Sequence, residues 1–213
     1  MNQQENTSLS TAEFLLQIKA IKLEPNNPFT WTSGIKSPIY TDNRKILSYP
    51  KVRTYVRQEF SRIISEEFPD LDVIAGVATG AIAHGVLVAQ EMGLPFVYVR
   101  SEKKSHGLEN KIEGVVESGQ SVVVIEDLVS TGKSSLQAVH ALRDAGCNVK
   151  GMVAIFSYLL PEAVESFKKN NVRLFTLTDY DILIKKALMI KYISDNDLQL
   201  LMEWRKNPSV WGK

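Results

Sequence analysis

Val122-Val-Val-Ile-Glu-Asp-Leu-Val-Ser-Thr-Gly-Lys-Ser-Ser135 joins four branched apolar residues to two acids and then to a run of small hydroxylated residues around a glycine. The apolar run predicts a strand over 121–125 that is buried on both faces, because it does not alternate with polar residues. The residues after it predict a turn and a helix N-terminus. Gly132-Lys133-Ser134 has the ending of a triphosphate-binding loop. Such a loop needs a second glycine five residues earlier, so that backbone amides can wrap the phosphates. That position is Asp127, preceded by Glu126. Two carboxylates there would repel a triphosphate and obstruct the backbone, so the triphosphate reading fails at its first position.

A ligand with two unlike ends fits better. Amides and hydroxyls of Ser130 to Ser134 can hold one phosphate at a helix N-terminus. Glu126 and Asp127 can accept hydrogen bonds from vicinal sugar hydroxyls. The stretch therefore suits a ribose 5-phosphate. The plainer alternative is that the acids end a strand at solvent and Ser130 caps the helix. It accounts for Ser130, but poorly for two acids directly after four Val and Ile residues.

The flanking sequence repeats the strand-then-helix rhythm. Apolar strands are predicted at 73–77, 95–100, 151–156 and 172–176, with helices at 81–92, after 132 and at 161–170. This alternation predicts a parallel sheet covered by helices, with ligands at the carboxyl ends of its strands. Before it, Ser10-Thr-Ala-Glu13 reads as a capping box opening a helix over 11–22. Residues 25–45 hold three prolines and one glycine among aromatic and aliphatic residues, and read as loop or short irregular strand. Pro50 opens a helix with Val52, Val56, Phe60, Ile63 and Ile64 on its apolar face. Residues 101–114 are charged and lack periodicity. Two further helices fill about 180–206, the second capped at Ser194-Asp-Asn-Asp197.

Composition bounds the function class. The 213 residues carry 25 basic and 24 acidic side chains, a net charge of +1, which gives no support to wholesale polyanion binding. One cysteine, Cys147, excludes an intrachain disulfide and a cysteine zinc cluster. No apolar run approaches the ~20 residues of a membrane span. The polar start, Met1-Asn-Gln-Gln-Glu-Asn, lacks the pattern of a signal peptide, so the expected compartment is the cytoplasm.

Three stretches carry a family resemblance. Residues 122–134 resemble the phosphoribosyl pyrophosphate motif of the type I phosphoribosyltransferases: four apolar residues, two acids, two apolar residues, then a phosphate loop. Phe29-Thr-Trp-Thr-Ser-Gly-Ile-Lys-Ser-Pro-Ile-Tyr-Thr-Asp-Asn-Arg44 resembles the N-terminal segment of the orotate-using members. Tyr98-Val-Arg-Ser-Glu-Lys-Lys-Ser-His-Gly107 resembles their catalytic loop. Together they span most of the chain.

The resemblance implies a central parallel sheet of about five strands flanked by helices, with a small hood. The hood comes from about 1–48, the core from about 49–178, and C-terminal helices from about 179–213, partly joining the hood. It implies transfer of phosphoribosyl to orotate, in pyrimidine biosynthesis, by a homodimer with shared active sites. Glu126 and Asp127 would hold the ribose, and Leu128 to Ser134 (Leu128, Val129, Ser130, Thr131, Gly132, Lys133 and Ser134) the rest of the phosphoribosyl group. Arg100, Lys104 and His106 would be catalytic, with Lys103 assisting on the leaving diphosphate. Gly76-Val-Ala-Thr-Gly80 resembles the pyrophosphate loop, which brings in Thr79 and Gly80. Ser130, Lys36 and Tyr40 would contact orotate. Mg2+ is implied by the substrate, held through few protein ligands, with no metal ligand assigned.

The chain departs from the pattern in three places. Thr32 stands where some members have Lys, Ser101 where some have a second basic residue, and Tyr158 where some place an Arg for the orotate carboxylate. Lys36 is the substitute at the first. The competing readings are a phosphoribosyltransferase for another base and a nucleic-acid-binding regulator on the same fold. The second sits badly with balanced charge and an intact 100–107 segment.

Overall fold

The computed structural model describes residues 3–30, 34, 36–100, 111–208 and 210–211. In chain order the elements are α1 (Gln3–Gln17), β1 (Ile21–Leu23), β2 (Phe29–Thr30), β3 (Lys36–Ser37), β4 (Ile39–Thr41), a 3-10 helix (Asn43–Ser48) and α2 (Pro50–Glu67). There follow β5 (Val73–Val77), α3 (Ile82–Met92), β6 (Phe96–Val99), β7 (Ile112–Glu113), β8 (Ser121–Val129) and α4 (Lys133–Asp144). The chain closes with β9 (Asn148–Ser157), α5 (Pro161–Lys169), β10 (Leu174–Asp179), α6 (Tyr180–Met189) and α7 (Asp195–Lys206). Contacts divide it into two units, residues 51–177 and residues 1–50 with 178–213.

In the first unit the sheet order is β10-β9-β8-β5-β6-β7. β5 pairs in parallel with β6 and with β8, and β8 in parallel with β9. β7 is antiparallel to β6, so the sheet has six strands, one more than expected. Two residues are too few to show a period, which hid β7 inside the charged 101–114 stretch. Strand order reverses between β5 and β8: the chain runs from β5 outward to β6, then returns to β8 and proceeds through β9. A crevice at that reversal, outside the carboxyl ends of the strands, is where open α/β sheets bind ligands.

The strands hold because they are sealed. Val122, Val123, Val124 and Ile125 are all fully buried, and each such side chain contributes roughly 1.5–3 kcal/mol. One face packs Val73, Ala75, Val122, Val124, Met152 and Ala154 against Leu136, Val139 and Leu142 of α4 and Ala163 and Phe167 of α5. On the other face the Phe96 ring lies against Gly76 and Gly85, under α3. The face expected of α2, Val52 to Ile64, is buried.

β8 runs four residues further than expected, through both acids to Val129, because β9 continues beside it: Glu126 pairs with Ala154, Leu128 with Phe156 and Val129 with Ser157. The last strand likewise covers Leu174–Asp179 rather than 172–176. The expected bounds of α3 and α5 hold to within a residue, and the two helices expected over about 180–206 are α6 and α7.

In the second unit, α1 starts and ends earlier than expected. Its buried stripe is Thr7, Ser8, Thr11, Ala12, Leu15 and Leu16. The hydroxyl of Thr11 donates to the Thr7 carbonyl at 2.8 Å, so a polar residue is buried without an unmet bond. Ser10 and Glu13 therefore sit inside the helix and form no capping box. The helix ends by Lys19, at φ 54°, and Ile21 belongs instead to β1, opposite Thr41 of β4. β2 and β3 make a second antiparallel pair. α7 opens on the expected capping box: Ser194 accepts from the Asp197 amide, and Asp197 accepts from Ser194. Those bonds hold the Asp197 carboxyl below its ordinary range. Trp204 of α7 is fully buried, tilts against Tyr180 at 5.6 Å, and donates its indole N–H to the Lys36 carbonyl at 3.2 Å. Among the described residues no helix is long and apolar enough to cross a membrane.

The Trp204 anchor gives a graded expectation. Trp204→Ala should cost about 3–5 kcal/mol by emptying a large buried site. Trp204→Phe keeps the ring but strands the Lys36 carbonyl, and should cost about 1–3 kcal/mol. Chemical denaturation of the three proteins measures both. A Trp204→Phe protein as stable as wild type would mean that the indole N–H contributes nothing.

Candidate active site

Strand geometry decides how the two acids differ. Successive side chains in a strand point to opposite faces. Val122 and Val124 pack toward α4, so Glu126 does too, while Asp127 points to the face that carries the β5–α3 turn.

Glu126 is only 3% exposed. Its Oε2 accepts from the Ser135 hydroxyl of α4 at 2.7 Å, and its Oε1 accepts from the Asp127 amide at 3.1 Å. Burial pushes its pKa well up, and the charge of Asp127 pushes it further, against the pull of the two donors. Asp127 is half-buried. It lies directly against Gly80: a Cβ built on Gly80 would collide with the Asp127 carboxylate. Glycine is what lets the turn after β5 approach the acid. The turn itself follows from β5, with the Ala78 amide donating to the Val99 carbonyl at 2.8 Å and the Ala81 amide to Val77 at 3.1 Å. The Ala78–Thr79 peptide is cis, and Thr79 is exposed.

Beyond the acids, Leu128 is half-buried, Val129 is buried and Ser130 half-buried. Gly132, at φ 78°, is the N-cap of α4, and no side chain caps it. Ser130 is therefore not the cap that the plainer reading required. The nearest hydroxyl contact is from the Lys133 amide to Thr131 Oγ1 at 3.5 Å, at the edge of bonding distance. Thr131, Lys133 and Ser134 are exposed. An α4 N-terminus with exposed hydroxyls and no side-chain cap suits an anion. Thr131 and Lys133 also line a cavity of about 480 Å³ with Gln137, His140, Glu162 and Ser166, and neither acid lines it.

Arg100 follows β6. Its amide donates to the Lys111 carbonyl at 2.9 Å. Its guanidinium pairs with Glu113 of β7 at 3.3 Å. Lys103, Lys104 and His106, with Ser101, lie outside the described residues, as does Thr32. Tyr158 is buried, edge-on to Phe156 at 5.2 Å.

The other expected residues belong to the second unit. Lys36 is exposed, and its ammonium donates to Thr30 Oγ1 at 3.0 Å across the β2–β3 pair. Tyr40 is 41% exposed and tilts against Phe29 at 5.5 Å. Two residues of the site escaped the sequence reading. Ser135 is one of four hydroxyl-bearing residues between 130 and 135, with nothing to single it out. Glu113 sits in a strand too short to recognise.

Glu126 generates a pH dependence. Because folding raises its pKa, the folded protein keeps that proton to higher pH than the unfolded chain does. Glu126 therefore lowers stability progressively as pH rises above the ordinary value of 4.5, and costs nothing well below it. Glu126→Gln should raise the thermal midpoint at neutral pH, with a gain that fades as pH falls toward that value. Thermal denaturation across pH reads this directly. A gain independent of pH would place its cause elsewhere.

Comparison with known proteins gives the following. Residues 45–182 match the model of the phosphoribosyl transferase domain. The orotate phosphoribosyltransferase of Porphyromonas gingivalis is 58% identical over 201 residues, covering 94% of this chain and 96% of that protein. That of Phocaeicola vulgatus is 60% identical over 200 residues, covering 94% of each. Among solved structures, the orotate phosphoribosyltransferase of Aeropyrum pernix superposes with a TM-score of 0.74 at 24% identity, over 86% of this chain and 99% of that one, a likeness of fold.

Proposed function

The chain belongs to the phosphoribosyltransferase family, and from that premise we infer that it transfers the 5-phosphoribosyl group of phosphoribosyl pyrophosphate to orotate, yielding orotidine 5'-monophosphate and pyrophosphate. It is an enzyme of the pentosyltransferase class, acting in pyrimidine biosynthesis. The observation that carries this reading is the placement of Asp127 against Gly80 at the carboxyl ends of β8 and β5, one short loop before the α4 N-terminus. An acid against a glycine turn, followed one short loop later by an uncapped helix N-terminus at the strand-order reversal, supports a sugar phosphate as the ligand.

The proposed roles follow from charge. Asp127 and Glu126 accept hydrogen bonds from the ribose hydroxyls. Ser130 to Ser134 and the first amides of α4 hold the 5-phosphate, and Leu128 and Val129 bridge the two subsites. Lys133 contributes its backbone amide, since its side chain has no third phosphate to reach. Thr79 and Gly80 border the diphosphate. As the bond from the anomeric carbon to the diphosphate breaks and the bond to the orotate nitrogen forms, positive charge grows on the sugar and negative charge on the leaving group. Arg100, Lys104 and His106 stabilise the latter, with Lys103 assisting. Arg100 would exchange Glu113 for a diphosphate oxygen. Lys36, Tyr40 and Ser130 contact orotate.

Among the described residues no three His, Cys, Asp or Glu side chains converge as a metal cage. The substrate implies Mg2+ that arrives on the diphosphate and takes few protein ligands, none of them assigned to a residue. When bound, the ion neutralises part of the diphosphate charge. We further propose a cytoplasmic homodimer in which Arg100, Lys104 and His106 serve the neighbouring site.

Two experiments test this. The protein, phosphoribosyl pyrophosphate and Mg2+ are incubated with orotate, adenine, hypoxanthine or uracil in turn, following orotate absorbance and pyrophosphate release. Orotate alone should react, and turnover of another base with orotate inert would overturn the assignment. Lys104→Ala should lower kcat roughly 10²–10³-fold with a smaller effect on ground-state binding. Mixed with inactive Asp127→Asn subunits, it should recover part of the activity. No recovery in a verified heterodimer would exclude shared sites.

A further inference from the structure

We propose that Ser135 is a positioning residue for the ribose subsite: its hydroxyl, donated from the first turn of α4, fixes the Glu126 carboxylate as an acceptor and sets its distance from the 5-phosphate loop. The inference rests on the reading above, in which Glu126 meets the sugar.

Ser135 is 1% exposed and Glu126 is 3% exposed, and the 2.7 Å bond between them is buried. The bond itself is therefore shielded from water. The two oxygens of Glu126 are each fixed by one protein donor, Ser135 Oγ on one side and the Asp127 amide on the other. That leaves the carboxylate no freedom to turn, while each oxygen keeps a lone pair. A sugar hydroxyl donates most strongly to an ionised, correctly turned carboxylate. Burial and the neighbouring Asp127, the charged group that acts on it, both favour the protonated form, and Ser135 opposes them.

The same bond ties α4 to β8. Gly132, the N-cap of α4, stands three residues before Ser135, and the Leu136 amide donates back to Gly132 at 2.9 Å. One hydroxyl thus links the acid at the sugar end to the helix end that would take the phosphate. It fixes the span that a 5-phosphorylated ribose must bridge.

The test compares wild type, Ser135→Ala and Ser135→Thr, with circular dichroism and thermal melts to establish that each is folded. Ser135→Ala should raise KM for phosphoribosyl pyrophosphate about tenfold, as expected for losing a hydrogen bond to a charged group. KM for the acceptor base should stay within twofold (about the scatter of such constants), measured at saturating phosphoribosyl pyrophosphate. Removing the donor lets Glu126 hold its proton to higher pH, so the acidic limb of the kcat/KM profile should move upward. Ser135→Thr, which keeps the hydroxyl, should restore both. A folded Ser135→Ala protein with wild-type KM and profile overturns the proposal. So does an equal rise in both KM values, or failure of Thr to restore what Ala loses. If wild type uses a base other than orotate, the base assignment fails, and the Ser135 comparison is read with the base that reacts.

Discussion

Four branched side chains in succession, Val122 to Ile125, have no solvent face, and the main-chain bonds from β5 and β9 on either side leave the strand no alternative register. A slip of one residue would exchange the two faces of β8. It would turn Glu126 toward the β5–α3 turn and Asp127 into the apolar layer under α4. The chemistry of the site therefore depends on the same hydrophobic constraint that closes the core. The acids are placed by the valines before them.

Alternation also makes unequal partners of adjacent carboxylates. Asp127 is half-buried beside a glycine turn, whereas Glu126 is sealed beneath a helix with one donor on each oxygen. Ionising both together is unfavourable at such proximity.

The sequence made the sheet legible wherever apolar runs were long enough to show a period: β5, β8 and β9 were plain, as were α2 behind Pro50 and α7 behind Ser194. It misled where polarity and burial part company. Thr7 and Thr11 line the inner face of α1 because a threonine hydroxyl can bond the preceding turn, so hydropathy did not mark the helix start. Glu126 and Asp127 read as the end of a strand because acids seldom continue one, yet pairing to β9 carries β8 through them. In the site, the local motif from Glu126 to Ser134 was readable because its parts are neighbours in sequence. The approach of Gly80 to Asp127 and the Ser135 bond were not, since both arise from packing across elements.

The Trp204 indole and the Lys36 carbonyl it binds are 168 residues apart. β3 is synthesised well before α7, which ties it down. The 51–177 sheet unit can close upon itself while synthesis continues. The segment that bears Lys36 and Tyr40 must wait for α7. Maturation of this unit is therefore a late, long-range event, slower than sheet formation on topological grounds alone. A nascent chain would hold a nearly complete phosphate-binding framework before the segment proposed to meet the base is in place.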